Sequence, residues 1–256
     1  MAEQYTLYYH DYSLCANMVR FSLAIAGEPR DASSEMQVEE KAVDIFRGAE
    51  QLEEYYLCHI NPKGQVPALA SKALPKPMAE SLDMTLYIAE HYPALIPEAH
   101  HRETTAWLRE LHGLNYFALS FGDRPQQAQA MVKAIQARLG QDGISPEYRK
   151  ALEYKLEVTN KEKIQAMAPA ARAANEERAK DIAAKLESTL QSGKQWLFGS
   201  DRPSALDAHL AVYLARLRDV KREDLIPGRL GTYLEHAMSM PEWEQVMQGR
   251  KTMPGI

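Results

Sequence analysis

Apolar positions recur with two different periods along this chain, and the change from one to the other divides it. Near the start, Tyr5-Thr-Leu-Tyr-Tyr9 is dense in aromatic and β-branched residues and predicts a short strand. His10–Leu14 reads as a loop. Asn17–Ala26 carries Met18, Phe21, Leu23 and Ile25 and stops at Gly27, which predicts a helix. Val38, Val43 and Ile45 place a second strand within Met36–Phe46. Leu52, Tyr55 and Tyr56 predict a helix over Gly48–His59, and Val66–Ser71 predicts a third strand. Leu82, Leu86, Ile88 and Ala89 recur at helical spacing and predict a helix over Ser81–His91. Before it, Lys72–Met78 (KALPKPM) predicts a turn or hairpin connection, because its prolines exclude helix.

Tyr92–Ala99, with Pro93 and Pro97, predicts a linker. Beyond it strand-like runs are few, and Ala, Leu, Glu, Lys and Arg dominate from His101 to Gly249. Helical blocks are expected over Ala106–Ser120, Ala128–Leu139, Glu147–Leu190, Leu206–Arg218 and Gly231–Met238. Met167-Ala-Pro169 must break or kink the third of these. The pattern therefore predicts a mixed α/β unit over 1–92, a linker over 93–100 and an all-helical unit over 101–256.

Composition narrows the function classes. The chain has 256 residues, 45% hydrophobic and 25% charged, which suits a soluble globular protein with a sizeable core. A formal net charge of -5 and the lack of a long basic run argue against nucleic acid as a partner. No apolar run approaches the roughly 18 residues that span a bilayer. The opening MAEQYTLYYHDY has neither a basic n-region nor an apolar h-region. Cys15 and Cys58 form no metal-type spacing. A cytoplasmic, metal-free protein is expected.

The chemistry begins at Ile60–Leu69, INPKGQVPAL. Pro67 stands where a strand starts, and prolines in strands are confined to edges, first positions and bulges. It is also a candidate cis bond. Glu80-Ser81 precedes an apolar run as a helix start does. Ser204-x-x-Asp207 resembles a capping box with Asp in the place of Glu or Gln, and reads as a folding element.

Taken in order, Asn61-Pro-Lys-Gly-Gln-Val-Pro67-Ala-Leu, Glu80-Ser81, and Ser204-Ala-Leu-Asp207 after Trp196-Leu-Phe-Gly199 resemble the soluble glutathione transferases over nearly the whole chain. The resemblance implies an α/β thioredoxin-like N-terminal domain, an all-α C-terminal helical bundle, glutathione as cofactor and a homodimer, with Asp83 near the partner subunit. It implies a cis bond at Pro67 that exposes the Val66 backbone, whose N–H and C=O would pair with the cysteinyl unit of glutathione. Ser81 would meet the γ-glutamyl carboxylate, assisted by the helix start that Glu80 precedes, and Gln65 would contact the same end.

Such an enzyme holds the glutathione thiol as thiolate, and a hydroxyl aimed at the sulfur favours the charged form. The donor must lie near the end of the first strand or the start of the first helix, within Tyr8-Tyr-His-Asp-Tyr-Ser-Leu-Cys15. Matching to tyrosine-type classes points to Tyr9, to serine-type classes to Ser13, and to beta-class enzymes to Cys15. Ser13 is preferred, as a small neutral donor just before the helix; Tyr9, Cys15 and Tyr12 stay open. His10 and Tyr12 would line the pocket. His112, Asn115, Tyr116, Leu119 and Phe121 are expected on the first helix of the helical unit, with 112, 115, 116 and 119 on one face toward an apolar substrate.

Two departures stand out. Serine-type enzymes often place His or Lys in the second-helix region for the glycine carboxylate, whereas Gly48–Glu54 here is acidic, with only Arg47 and Lys63 near. The segment Gln141–Ala174 is longer than the usual connection, as either a lid or disordered insert, or an extended helical hairpin. The expected activity is addition of the glutathione thiolate to an apolar electrophilic small molecule, as conjugation or double-bond isomerisation, of the kind found in fungal secondary metabolism. The alternatives are a glutathione-dependent thiol reductase through Cys15 and a non-catalytic binding module with the same fold.

Overall fold

The computed structural model describes residues 3–254. Its sheet is small and mixed. Strand β1 (Glu3–Tyr9) is central, parallel to β2 (Met36–Ala42) and antiparallel to β3 (Ala68–Ser71), in the order β2-β1-β3. Tyr5 faces Val38 on one side and Ser71 on the other. A fourth strand is reduced to a single bridge, Leu69 to Met78, across the proline-rich turn. The parallel pairing requires a crossover, which helix α1 (Leu14–Ala24) supplies.

Helix α2 (Ser81–His91) has the bounds its apolar spacing predicts. Gly48–His59 does not form the expected helix: it folds as a 3-10 turn, Glu50–Leu52, and a π turn, Tyr56–Ile60. Its apolar residues point both ways, Tyr56 toward the sheet and Leu52 and Leu57 away from it, so no single helical face was available.

Helices follow from His101 on. They are α3 (His101–His112), α4 (Tyr116–Phe121), α5 (Gln126–Leu139), α6 (Pro146–Thr159), α7 (Pro169–Ser188), α8 (Ala205–Asp219), α9 (Gly228–Met238) and α10 (Pro241–Met247). The single helix expected over Ala106–Ser120 is two. Gly113 caps α3, and the Asn115 side chain caps α4 by accepting from the Ala118 N–H at 2.9 Å. Residues 112, 115, 116 and 119 therefore do not share one helix face. The block over 147–190 breaks at Pro169, as expected. Helix α10, whose Trp243 is buried, adds an element that the apolar pattern did not predict.

One continuous core runs from Leu7 and Leu69 of the sheet through Met18 and Phe21 of α1 and Met84 and Ile88 of α2 to Leu210 and Leu214 of α8. Every residue of α8 from Ala205 to Leu217 is buried. A separate cluster, Leu52, Leu57, Ile135, Tyr148 and Leu152, docks the α5–α6 pair onto the turns after β2. The Tyr148 hydroxyl fixes that contact by donating to the Leu52 carbonyl at 2.6 Å. The long segment 141–174 is thus an ordered helical hairpin arm continued by a π turn, Asn160–Ile164. No described helix is long and apolar enough to cross a membrane.

Candidate functional site

Helix α1 begins where β1 leaves the sheet, and that junction positions Ser13. Ser13 is the N-cap: its Oγ accepts from the Ala16 N–H at 3.2 Å and donates to the Val66 carbonyl at 3.2 Å. Two residues 53 positions apart in sequence are thereby joined. The Val66–Pro67 bond is cis, and Val66 is nearly buried. No described acceptor pairs with the Val66 N–H. The loop before it is held by its own residues, with the Gln65 carbonyl accepting from Tyr56 Oη at 2.7 Å and Asn61 Nδ2 at 2.8 Å. Gly64 adopts a φ of +53°, and a Cβ there would meet the Leu57 side chain at 2.9 Å, so both conformation and space require glycine.

Ser81 is the first residue of α2 and is buried. Glu80 occupies the N-cap but makes no side-chain cap; its carboxylate instead pairs with Lys63 Nζ at 2.5 Å. The first N–H groups of α2 are left open beside Ser81. The Cys15 thiol lies against the Ser81 hydroxyl. Burial pushes that thiol up, opposed by Ser81, Lys163 and Arg216. Ser13, Cys15, Val66, Pro67 and Ser81 therefore gather at one place.

Tyr9 does not join them. Its ring lies under the Arg20 guanidinium, 4.3 Å from the centroid, and Arg20 is committed to Glu40 at 2.7 Å. His10, Tyr12 and Phe46 form an aromatic group on the rim, His10 to Phe46 at 5.0 Å and His10 to Tyr12 at 5.7 Å. Burial pushes His10 down, so it is neutral near pH 7.

On the helical side, Tyr116 packs at 6.0 Å from His112 and close to Cys15, and its hydroxyl donates to the Leu111 carbonyl at 2.8 Å. His112 belongs to a buried chain. Thr85 Oγ1 donates to the Ser81 carbonyl at 2.9 Å, so its oxygen accepts from His209 Nε2 at 3.0 Å. His209 Nδ1 is then an acceptor, and His112 Nε2 donates to it at 2.8 Å. Burial lowers both imidazoles, His112 to about 4, which keeps the chain neutral.

Sequence reasoning missed the contribution of the long segment. Glu162 Oε2 accepts from Gln65 Nε2 at 2.8 Å, and the Glu162 carboxylate lies 3.7 Å from Lys63. Asn115 Nδ2 donates to the Glu162 carbonyl at 2.8 Å. Lys163 sits 5.0 Å over the Phe117 ring. Arg216 of α8 was also missed. It is buried and donates to the Tyr12 carbonyl at 2.8 Å, tying the Ser13 loop to the helical layer. No local pattern marks Glu162, Lys163 or Arg216, because each acts across more than 30 residues.

A cavity of about 930 Å³ is bounded by Tyr5, Tyr8, Tyr55 and His59, and none of the residues expected at the site lines it. The π turn Asn160–Ile164 reaches the loop before Val66 through Glu162, which meets Gln65 and Lys63. No group of three or more metal-ligating side chains occurs among the described residues.

No family model matches the sequence, and no curated protein matches it either. Solved structures do match the fold. A glutathione transferase from Methylococcus capsulatus is 22% identical, with 95% of this chain and 97% of that chain covered and a TM-score of 0.58. One from Burkholderia graminis, with two glutathione molecules bound per subunit, is 18% identical over 96% and 88% of the two chains, with a TM-score of 0.62. One from Phanerochaete chrysosporium, with oxidized glutathione, is 16% identical over 97% and 95%, with a TM-score of 0.60.

The chain has the glutathione transferase fold. In that fold the small sheet with α1 and α2 is the thioredoxin-like part, and α3 to α10 make the helical part. The resemblance read from three short motifs and the fold formed by the whole chain therefore agree.

Proposed function

We propose that the protein is a glutathione transferase that activates the glutathione thiol at Ser13. The observation that carries this is the convergence of the Ser13 hydroxyl, the open Val66 N–H beside a cis proline and the uncapped start of α2 at Ser81. These groups fit a peptide-like thiol with a carboxylate. The Val66 backbone holds an extended strand, and Ser81 with the positive end of α2 holds a carboxylate. Glutathione, when bound, supplies the nucleophilic sulfur. Ser13 keeps its oxygen fixed by the Ala16 N–H while its proton turns from the Val66 carbonyl toward the sulfur, which favours the thiolate. Tyr116, packed near Cys15, and Phe117 beside it offer an apolar wall to the electrophile.

In this reading the glutathione-holding unit is 1–92, the connection 93–100 and the substrate-holding unit 101–256, in a cytoplasmic homodimer. Conjugation and double-bond isomerisation of an apolar substrate both begin with this thiolate. The role of Cys15 as a reductase nucleophile is disfavoured, because burial holds its thiol protonated. Calorimetric titration of glutathione into wild type and Ser81→Ala tests the proposal. Binding in the wild type that weakens about tenfold or more in Ser81→Ala is expected from loss of a charge-assisted hydrogen bond. Equal binding by the two proteins overturns the assignment of Ser81.

A further inference from the structure

Three arginines hold the loop Asp11–Ser13, and their charges are treated differently. Arg20 lies 3.8 Å from the Asp11 carboxylate and pairs with Glu40 at 2.7 Å, and Arg250 pairs with Asp11 at 2.9 Å. Arg216, from α8, is 5% exposed, and its hydrogen bonds among the described residues go to neutral groups. Its guanidinium donates to the Tyr12 carbonyl at 2.8 Å, the Ser120 hydroxyl at 3.3 Å, the Thr252 hydroxyl at 3.1 Å and the Thr252 carbonyl. Asp219 is joined to it through Thr252, whose N–H and hydroxyl both donate to Asp219 Oδ2 at 2.7 Å. Burial pushes Arg216 down to about 10, so it keeps its charge at pH 7. Neutral acceptors satisfy the N–H groups and leave that charge uncancelled, and its field reaches further in the interior than in water.

The field falls on the start of α1. Tyr12, whose carbonyl Arg216 holds, precedes Ser13, and Cys15 lies in the first turn that Ser13 caps. Burial and Glu80 push the Cys15 thiol up, and Ser81, Lys163 and Arg216 oppose them. Cys15 is therefore a sulfur that registers the charge at this place. One neutral hydroxyl gives a thiolate a hydrogen bond but no charge, and an anion taken from water needs both.

We propose that Arg216 is a positioning residue of the thiolate site: it fixes the Tyr12–Ser13 loop through the Tyr12 carbonyl and supplies, from the helical unit, the positive charge that favours an anionic sulfur beside Ser13. That this sulfur is the thiol of glutathione rests on the reading above. The hydroxyl then comes from the start of α1 and the charge from α8, so activation needs both units.

Arg216→Lys and Arg216→Met separate charge from scaffold. Both lose the planar fork that reaches Ser120 and Thr252, and only lysine keeps a charge. Two thiols are read: bound glutathione, by ultraviolet thiolate absorbance across pH, and Cys15 without glutathione, by its iodoacetamide alkylation rate at pH 8 in a Cys58→Ser background, where it is the sole thiol. In Arg216→Met the glutathione pKa should rise by about one unit or more, the scale of a nearby opposite charge, and Cys15 alkylation should slow several-fold. Arg216→Lys should keep both near wild type. Asp219→Asn leaves an oxygen for Thr252 and removes the acid behind Arg216, so it should lower the pKa and speed alkylation; it serves if the Arg216 variants do not fold. Equal effects of lysine and methionine, no effect of methionine, or an unchanged or raised value in Asp219→Asn overturn the charge role of Arg216. A wild type that gives no glutathione signal overturns the glutathione reading, and the Cys15 rates then decide on Arg216 alone.

Discussion

Helix α8 and the arm formed by α6 with its π turn both bury polar side chains, but they treat them in opposite ways. In α8 every such group but the Tyr213 hydroxyl is matched. Asp207 accepts from the Ser204 N–H at 2.8 Å, the Leu197 N–H at 3.0 Å and the Tyr233 hydroxyl at 2.9 Å. His209 lies between Thr85 and His112, and Arg216 reaches Tyr12, Ser120 and Thr252. In the arm, the Thr159 hydroxyl is as deeply buried and has no partner, and Lys155, 7% exposed, makes no hydrogen bond or ion pair among the described residues. Matched groups hold the fold at a fixed geometry. Unmatched ones cost the fold the desolvation of a polar group.

The comparison can be broken first at Asp207. Asp207→Ala leaves two backbone N–H groups and a tyrosine hydroxyl in the core without an acceptor and removes half of the capping box. A loss of about 3–5 kcal/mol in urea unfolding is expected. A loss below 1 kcal/mol would mean that α8 is not the matched element described here.

Lys155→Met should act in the opposite direction and more weakly. Methionine fits the stem of lysine and removes a buried, unpartnered ammonium, so without ligand the variant should be about 1 kcal/mol more stable than wild type. Burial pushes the Lys155 ammonium down to about 7. Below that pH both folded and unfolded forms carry the proton, and the penalty in the wild type is complete. Between about 7 and the ordinary lysine value near 10.4 the unfolded chain binds the extra proton, so wild-type stability rises with pH. The advantage of Lys155→Met should therefore be greatest below pH 7 and shrink toward pH 9. An advantage that grows with pH would contradict the burial of an unpaired charge.

The same contrast explains what the sequence made legible. Local signals sufficed for α2, where apolar spacing and Glu80-Ser81 give both the start and the face, and for Pro67, where a proline at a strand start marks the cis bond. Pro169 marked the break before α7, and Ser204 with Asp207 marked the start of α8. The break between α3 and α4 also had its signals, Gly113 and Asn115, but they were outweighed by the apolar residues on either side. Ser13, Val66 and Ser81 were recognisable because each lies in a short motif. Lys155 and Lys163 were not. Their placement depends on which face α6 turns toward Gly64 and Gln65, and that is set by the packing of Tyr148 and Leu152 on Leu52 and Leu57. Tyr9 illustrates the converse: its motif position was suitable, but strand register placed its ring under Arg20.

The most direct test of the account is the ultraviolet thiolate absorbance of glutathione mixed with the protein across pH, for wild type and Ser13→Ala. The account predicts a thiol pKa well below the free value of about 8.5 in the wild type, returning toward it in Ser13→Ala. A depressed value that survives the substitution, or no thiolate signal at millimolar glutathione, would contradict activation at Ser13.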